Sequence, residues 1–267
     1  MWFLRHWFRS GRPPGNGFMR RDYGRWTWIV RTCVGNPSFD GILKGPDEAL
    51  ASRADIIKRS DSTTIARIEG YVVKKWASHG MGGYLKDRLR RTRAERAALH
   101  ALQLIEARIP TAEPLAWGAC SGWRSGACSV LIMEELRGVV DLGRWKGERL
   151  PVVGRFGHLI GALHQQGFTH RDLKPTNLLV ATDGSPYLID LDGLGCPGLV
   201  SPARAVADLV KLARRMVELS TLSPREAVEF VTRYASARGA PRRRWWESIK
   251  AGALLHHEFS PRLRERR

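Results

Sequence analysis

His170-Arg171-Asp172-Leu173-Lys174-Pro175-Thr176-Asn177 is followed, thirteen residues beyond its asparagine, by Asp190-Leu191-Asp192-Gly193. A short apolar run, Leu178-Leu179-Val180, leaves the first motif, and Tyr187-Leu188-Ile189 leads into the second. Between them Ala181-Thr182-Asp183-Gly184-Ser185-Pro186 has the composition of a turn, so the spacing predicts a loop feeding a β-hairpin. Such a hairpin brings the oxygen-bearing side chains of Asp172, Asn177 and Asp190 to one edge. Phosphoryl transfer needs this set: a carboxylate to orient an attacking hydroxyl and take its proton, and oxygen ligands for Mg²⁺ on nucleotide phosphates.

Working outward, the chain of 267 residues is long enough for one bilobal unit or two small domains with a substantial core. Hydrophobic residues make up 43%, which excludes a mainly disordered chain. Cys33, Cys120, Cys128 and Cys196 are scattered, with no C-x-x-C spacing and no nearby histidine partners. The expectation is therefore neither a zinc site nor a disulfide framework, in keeping with a reducing compartment. No apolar run approaches the length of a membrane span, and charge interrupts Met1–Arg9 too early for a secretory segment. The expected location is the cytoplasm.

The net charge is +18, and its placement is uneven. Residues 1–31 hold seven arginines against one acid, residues 86–108 seven basic residues against three acidic, and residues 238–267 nine against three. The two basic ends also carry Trp2, Trp7, Trp26, Trp28, Trp245 and Trp246. Arginine beside indole rings suits an anionic membrane surface, where rings settle at headgroup level and guanidinium groups pair with lipid. The same composition can serve nucleic acid through phosphate contacts and stacking, or can form solvated tails. The membrane reading is preferred, and nucleic acid is the least favoured.

Residues 1–45 read as a basic, Trp-rich extension with a flexible joint at Gly11–Gly17 and a short strand at Trp26–Val30. Residues 46–135 read as an N-terminal lobe. Three extended runs, Asp55–Lys58, Thr63–Ile68 and Tyr71–Trp76, predict an antiparallel meander. Strand alternation in the third puts Val72, Lys74 and Trp76 on one face and Val73 and Lys75 on the other, so one lysine can meet a nucleotide. Lys74 is the candidate and Lys75 its competitor.

A helix is expected from about Lys86 to Arg108, with Glu95 one turn before Leu99 on the apolar side. A buried acid needs a partner, and Arg91 or Arg96 at the surface can supply one. Pro114–Gly118 and Ser129–Met133 follow as strands joined by a Gly/Ser loop, and Glu134–Gly138 as the link to the next lobe. The C-terminal lobe, residues 136–267, has a helix at 151–167 capped at Gly167 and feeding into His170. A second helix opens near Ser201 and carries Asp208. By position alone Asp208 reads as a plain helix-terminal charge. Helices at 224–238 and 244–256 and a basic end complete the lobe.

The loop from His170 to Asn177 with Asp190 resembles the catalytic loop and metal motif of the protein-kinase-like superfamily. The resemblance implies an α+β bilobal fold, with a small antiparallel-sheet N-lobe and a mainly helical C-lobe. It also implies roles. Asp172 is the base, Lys174 offsets charge on the transferring group, and Asn177 with Asp190 holds Mg²⁺. Lys74, paired with Glu95, sets the ATP phosphates; Glu134 and Leu136 offer hinge backbone to adenine; His170, Arg171 and Asp208 support the loop. Within the superfamily, Tyr71–Trp76, Leu85–Ala97 and Ile109-Pro110-Thr111-Ala112-Glu113-Pro114 resemble the bacterial lipopolysaccharide core (heptose and Kdo) kinases, as does Ile189-Asp190-Leu191-Asp192.

That resemblance covers roughly residues 54–215. It implies ATP as donor, Mg²⁺ as cofactor and a sugar hydroxyl on an anionic, membrane-embedded glycolipid as acceptor, with the protein peripheral on the inner face of the cytoplasmic membrane. There are departures. No G-x-G-x-x-G separates the first strands, so Arg59-Ser60-Asp61-Ser62-Thr63 must cover phosphate through backbone N–H and hydroxyl groups. No A-P-E segment follows residue 192. Asp172-Leu173-Lys174-Pro175-Thr176-Asn177 is close to the Ser/Thr protein-kinase form, which stays the alternative enzyme, and a membrane-bound pseudokinase scaffold is the non-enzyme alternative.

Overall fold

Residues 18–45, read from the sequence as part of a basic extension, form two paired strands and a helix. The computed structural model describes residues 15, 17–52, 54–78, 91–122, 126–218 and 222–259. The expectations for Trp2, Trp7, Gly80–Gly83, Lys86–Arg90 and Arg262–Arg267 lie outside these. The chain divides into unit 1, Met1–Gln103 with Ala112–Leu136, and unit 2, Leu104–Thr111 with Arg137–Arg267.

Unit 1 is a seven-stranded antiparallel sheet in the order β1-β2-β6-β7-β5-β4-β3. Its strands are β1 (Phe18–Tyr23), β2 (Trp26–Arg31), β3 (Asp55–Ser60), β4 (Thr63–Ile68), β5 (Tyr71–Ser78), β6 (Pro114–Gly122) and β7 (Gly126–Glu134). The expected meander is β3–β5. The β1–β2 hairpin joins because β2 alternates: Trp26, Trp28 and Val30 all point into the core, which a strand achieves at every second residue. Trp28 is fully buried, donates from Nε1 to Leu43 O at 3.0 Å, and lies over Gly118, where a Cβ would sit 2.5 Å from the ring. Burying such a side chain is worth roughly 1.5–3 kcal/mol, so these rings are core residues and not interfacial anchors. This corrects the membrane argument for Trp26 and Trp28.

Helices α1 (Pro37–Lys44) and α2 (Pro46–Ser52) supply Phe39, Ile42, Leu43 and Leu50 to that core. Asn36 caps α1, its side chain accepting from Phe39 N. Trp76, Trp117 and Leu131 form a second cluster with Ala94, Ala97 and Ala98 of α3 (Arg93–Glu106). The Gly/Ser stretch 118–129, expected as a loop, is mostly strand, and β6 and β7 pair as far as Gly122 and Gly126. Their register sets Cys120 opposite Cys128 with 5.4 Å between Cα atoms, and the two form a disulfide. The expectation of no disulfide is thereby corrected: linear spacing gives no hint of a bridge that strand pairing creates.

Unit 2 is mainly helical. Its helices are α4 (Arg149–Gln165), α5 (Pro202–Glu218), α6 (Pro224–Ala237) and α7 (Arg242–Phe259). Helix α4 packs on α6 across Gly154, Gly157 and Gly161; a Cβ on Gly157 would stand 2.3 Å from Phe230 O. Ser223 and Glu226 close α6 with a reciprocal capping box. Trp245, the third indole of the membrane argument, is buried edge-on against Tyr234 at 5.0 Å. Two small sheets carry the loops: β11-β10-β8, from Pro186–Leu188, Leu178–Val180 and Val140–Asp141, and β12-β9, from Leu194–Gly195 and Thr169–His170. Among the described residues no helix is long and apolar enough to cross a membrane.

Candidate active site

The two motifs are laid side by side by the small sheets of unit 2. Strands β10 and β11 pair Leu178 with Leu188, and β9 and β12 pair His170 with Leu194. Two backbone bonds tie the loops between them: Ile189 N donates to Asn177 O at 3.0 Å and Arg171 N to Gly193 O at 3.0 Å. The expected hairpin is the device that joins Asn177 to Asp190.

Asn177 is buried, and its Nδ2 donates to the carbonyl of Asp172 at 2.8 Å. A carbonyl can only receive an N–H, so the bond fixes the amide and leaves Oδ1 as its acceptor end. Asp172 itself is half-exposed, with Lys174 Nζ in contact with its Oδ2. Asp190 stands in the left-handed region at φ 65°, ψ 51°, ahead of a short 3₁₀ turn at Leu191–Gly193. A non-glycine residue held there costs about 1–3 kcal/mol, and such strain clusters at functional sites.

The support beneath the loop is buried and charged. His170 is fully buried, with neither ring nitrogen in hydrogen-bond geometry. Burial pushes its imidazole below the ordinary value; the charge of Asp190, the Ile189 backbone, and then Asp172 and Asp208 oppose this. Asp208 of α5 is also fully buried. His164 Nε2 lies 3.7 Å from its Oδ2, and Arg204 Nε and Lys211 Nζ lie 3.7 Å and 3.9 Å from its Oδ1. Burial raises the Asp208 carboxyl, against the lowering pull of Arg204, Lys211 and the His170 amide. That amide faces the carboxylate, but neither oxygen is within hydrogen-bond geometry.

His164 and Tyr234 are the residues sequence reasoning missed. His164 Nδ1 and the Tyr234 hydroxyl are 2.8 Å apart, and both residues are buried. With a carboxylate opposite Nε2, the favourable tautomer carries its proton there, and Nδ1 accepts from the tyrosine. The signal was present, because His164 continues the apolar face of α4 four residues after Ile160, where a polar group must find a partner.

In unit 1 the two lysines of β5 separate as alternation requires. Lys74 is buried on the α3 side, with Nζ 4.8 Å from the Trp76 ring centroid. Lys75 turns the other way and contacts Asp47 of α2. Glu95 sits in the first turn of α3, with Arg91 Nε at 3.8 Å, the alternative partner weighed from sequence. Burial raises the Glu95 carboxyl; Arg91, Thr92 and Arg96 lower it. Glu134 binds Glu113 twice: its N–H donates to Glu113 O, and its Oε1 accepts from Glu113 N, both at 3.0 Å. Its side chain therefore belongs to the sheet.

Among the described residues no group of three or more His, Cys, Asp or Glu side chains is arranged to hold a metal ion. A closed all-protein metal cage is thus not what these residues build. The Asp190 carboxylate and the oriented Asn177 Oδ1 instead fit a hard cation that takes few protein oxygens and completes its shell with phosphate and water.

A sheet unit that buries a strand lysine, followed by a helical unit that braces Asp172 and Asn177 against Asp190, is the arrangement of the protein-kinase-like phosphotransferases. Within that class the chain belongs to the lipopolysaccharide kinase (Kdo/WaaP) family, whose sequence model matches residues 58–234. It is 32% identical over 222 residues to the 3-deoxy-D-manno-octulosonic acid kinase of Stenotrophomonas maltophilia (strain R551-3), spanning 80% of this chain and 73% of that protein. A shorter stretch of 65 residues is 35% identical to serine/threonine-protein kinase 16 of Mus musculus, spanning 24% of this chain and only 21% of that kinase. The solved structure of WaaP in complex with acyl carrier protein has the same fold, with a TM-score of 0.59 at 23% identity over 84% of this chain and 95% of that one.

Proposed function

We propose that the protein transfers the γ-phosphoryl group of ATP to a sugar hydroxyl of a lipopolysaccharide-core-type glycolipid. The observation that carries this reading is the bonded pairing of the Asp172–Asn177 loop with the segment reaching Asp190, in a chain of the Kdo/WaaP family. Asp172, half-exposed, orients the acceptor hydroxyl and takes its proton. Lys174, already against Asp172, offsets charge on the transferring group. Asn177 Oδ1 and Asp190 hold Mg²⁺, which when bound supplies charge neutralisation on the nucleotide phosphates. Lys74, with Glu95 on the neighbouring helix, sets the α- and β-phosphates, and the backbone at Glu134 and Leu136 receives adenine. His170, Arg171 and Asp208 keep the loop in place.

The acceptor places the protein at the inner face of the cytoplasmic membrane. Trp26, Trp28 and Trp245 are buried, so among the described residues the support for that surface comes from arginine charge more than from these three rings. The test offers purified protein labelled ATP with lipopolysaccharide core glycolipid, with casein, or alone. Label is expected on the glycolipid and is lost in Asp190→Ala while the melting curve is kept. Label on casein would replace this reading with a protein kinase, and full activity in Asp190→Ala would remove the metal role.

A further inference from the structure

A cavity of about 590 Å³ opens in unit 2, and none of the residues assigned above to catalysis lines it. That volume lies within the range of small-molecule sites. Its apolar lining includes the buried Ile109 and Leu159, and Arg108, Arg155, His158 and Arg233 stand exposed around it. These four come from three separate pieces of chain: the segment after α3, helix α4 and helix α6. Glu229 is the one acid in the lining, and it is engaged by Arg233 at 2.7 Å. Arg155 donates to the carbonyl of Asp183 at 2.9 Å, while the Asp183 carboxylate is turned to Ser185. Among the described residues no carboxylate forms an ion pair with Arg108 or Arg155. The cavity therefore carries an excess of positive charge over an apolar lining.

Helix α3 closes with Arg108 N on Ile105 O and Ile109 N on Leu104 O, which puts Arg108 at φ 57°. Glycine is the easy resident of such a left-handed helix end, and arginine occupies it against steric preference. Thr111 Oγ1 on Leu188 O, at 2.7 Å, and Leu188 N on Pro110 O, at 2.9 Å, then hold that segment to β11. A solvated basic face would not need the strained arginine.

We propose that this cavity is a second ligand site, taking an anionic amphiphile: a phosphate monoester on an apolar body. The phosphate is met by Arg108 and Arg155, whose planar donors suit it, and the apolar part lies along Ile109 and Leu159. Such a group occurs on soluble organic phosphates and on lipids, and the probes separate the two. Isothermal titration with Mg·ADP saturating compares dihexanoyl phosphatidic acid below its micelle concentration, glycerol 3-phosphate, and zwitterionic dihexanoyl phosphatidylcholine.

Phosphatidic acid is expected to bind at least tenfold more tightly than either of the others. Arg155→Glu should weaken it at least tenfold and Arg155→Gln less; both variants alter the bond to Asp183 O, and the melting curve of each reports that change separately. Filling the cavity with Ala162→Leu should weaken it as well, and Asp190→Ala should leave binding intact. Equal affinity for glycerol 3-phosphate or phosphatidylcholine, or indifference to Arg155→Glu in a folded variant, would overturn the site. Because binding is read without turnover, the outcome is independent of the acceptor assigned above.

Discussion

Acidification should expose the buried histidine of helix α4. His164 is held near a pKa of about 3, first by burial and then by the charges of Arg238 and Arg204, whereas an unfolded histidine titrates near 6.5. The groups around it are the Tyr234 hydroxyl on Nδ1, the Asp208 carboxylate on Nε2, and Arg204, Lys211 and Arg238 nearby. Between pH 6.5 and 3 the unfolded chain binds a proton that the folded chain refuses. The stability is thus present above 6.5 and is lost as pH falls. At about 1.36 kcal/mol per unit, the contribution lost between pH 7 and pH 5 is about 2 kcal/mol. His170, also lowered by burial, adds a loss of the same sign.

The perturbation is His164→Gln, which keeps an amide for hydrogen bonding but cannot titrate. Urea unfolding at pH 7 and pH 5 gives four free energies. The variant begins less stable, but the wild type should lose about 2 kcal/mol more than the variant on acidification, so the gap closes. A gap unchanged to within about 0.5 kcal/mol would mean that His164 does not stay neutral in the folded protein, and the tautomer argument would fall with it.

Three further outcomes are expected. Glu226→Gln should cost about 2 kcal/mol at pH 7, since the carboxylate bonds Ser223 N at 2.7 Å and Arg149 Nε at 2.8 Å. Burial raises this carboxyl, but Ser223 and Arg149 outweigh it and bring it below the usual 4.5, so the deficit should fade as pH drops through the folded value. Gly157→Ala should destabilise by about 1–3 kcal/mol in urea, because the new methyl meets backbone on α6, while Gly17→Ala, with nothing within 4 Å, should be neutral. Alkylation of unfolded, unreduced protein should tag Cys33 and Cys196 only; four tagged thiols would refute the Cys120–Cys128 bridge.

What the sequence alone determined were the parts whose partners lie close along the chain. The turn from Ala181 to Pro186 closes a hairpin between neighbours, so Asn177 and Asp190 could be placed together from their spacing. The β3–β5 meander and the separation of Lys74 from Lys75 follow from short turns and the two-residue period of a strand. Periodicity states that a face is buried but not what buries it. The tryptophans of β2 therefore read equally as membrane anchors, until pairing with β6, some ninety residues on, put them in the core. Pairing register likewise opposed Cys120 to Cys128, and helix packing set Tyr234 against a histidine seventy residues earlier. These contacts rest on long-range packing, a free-energy balance over the whole chain that no local window of residues contains.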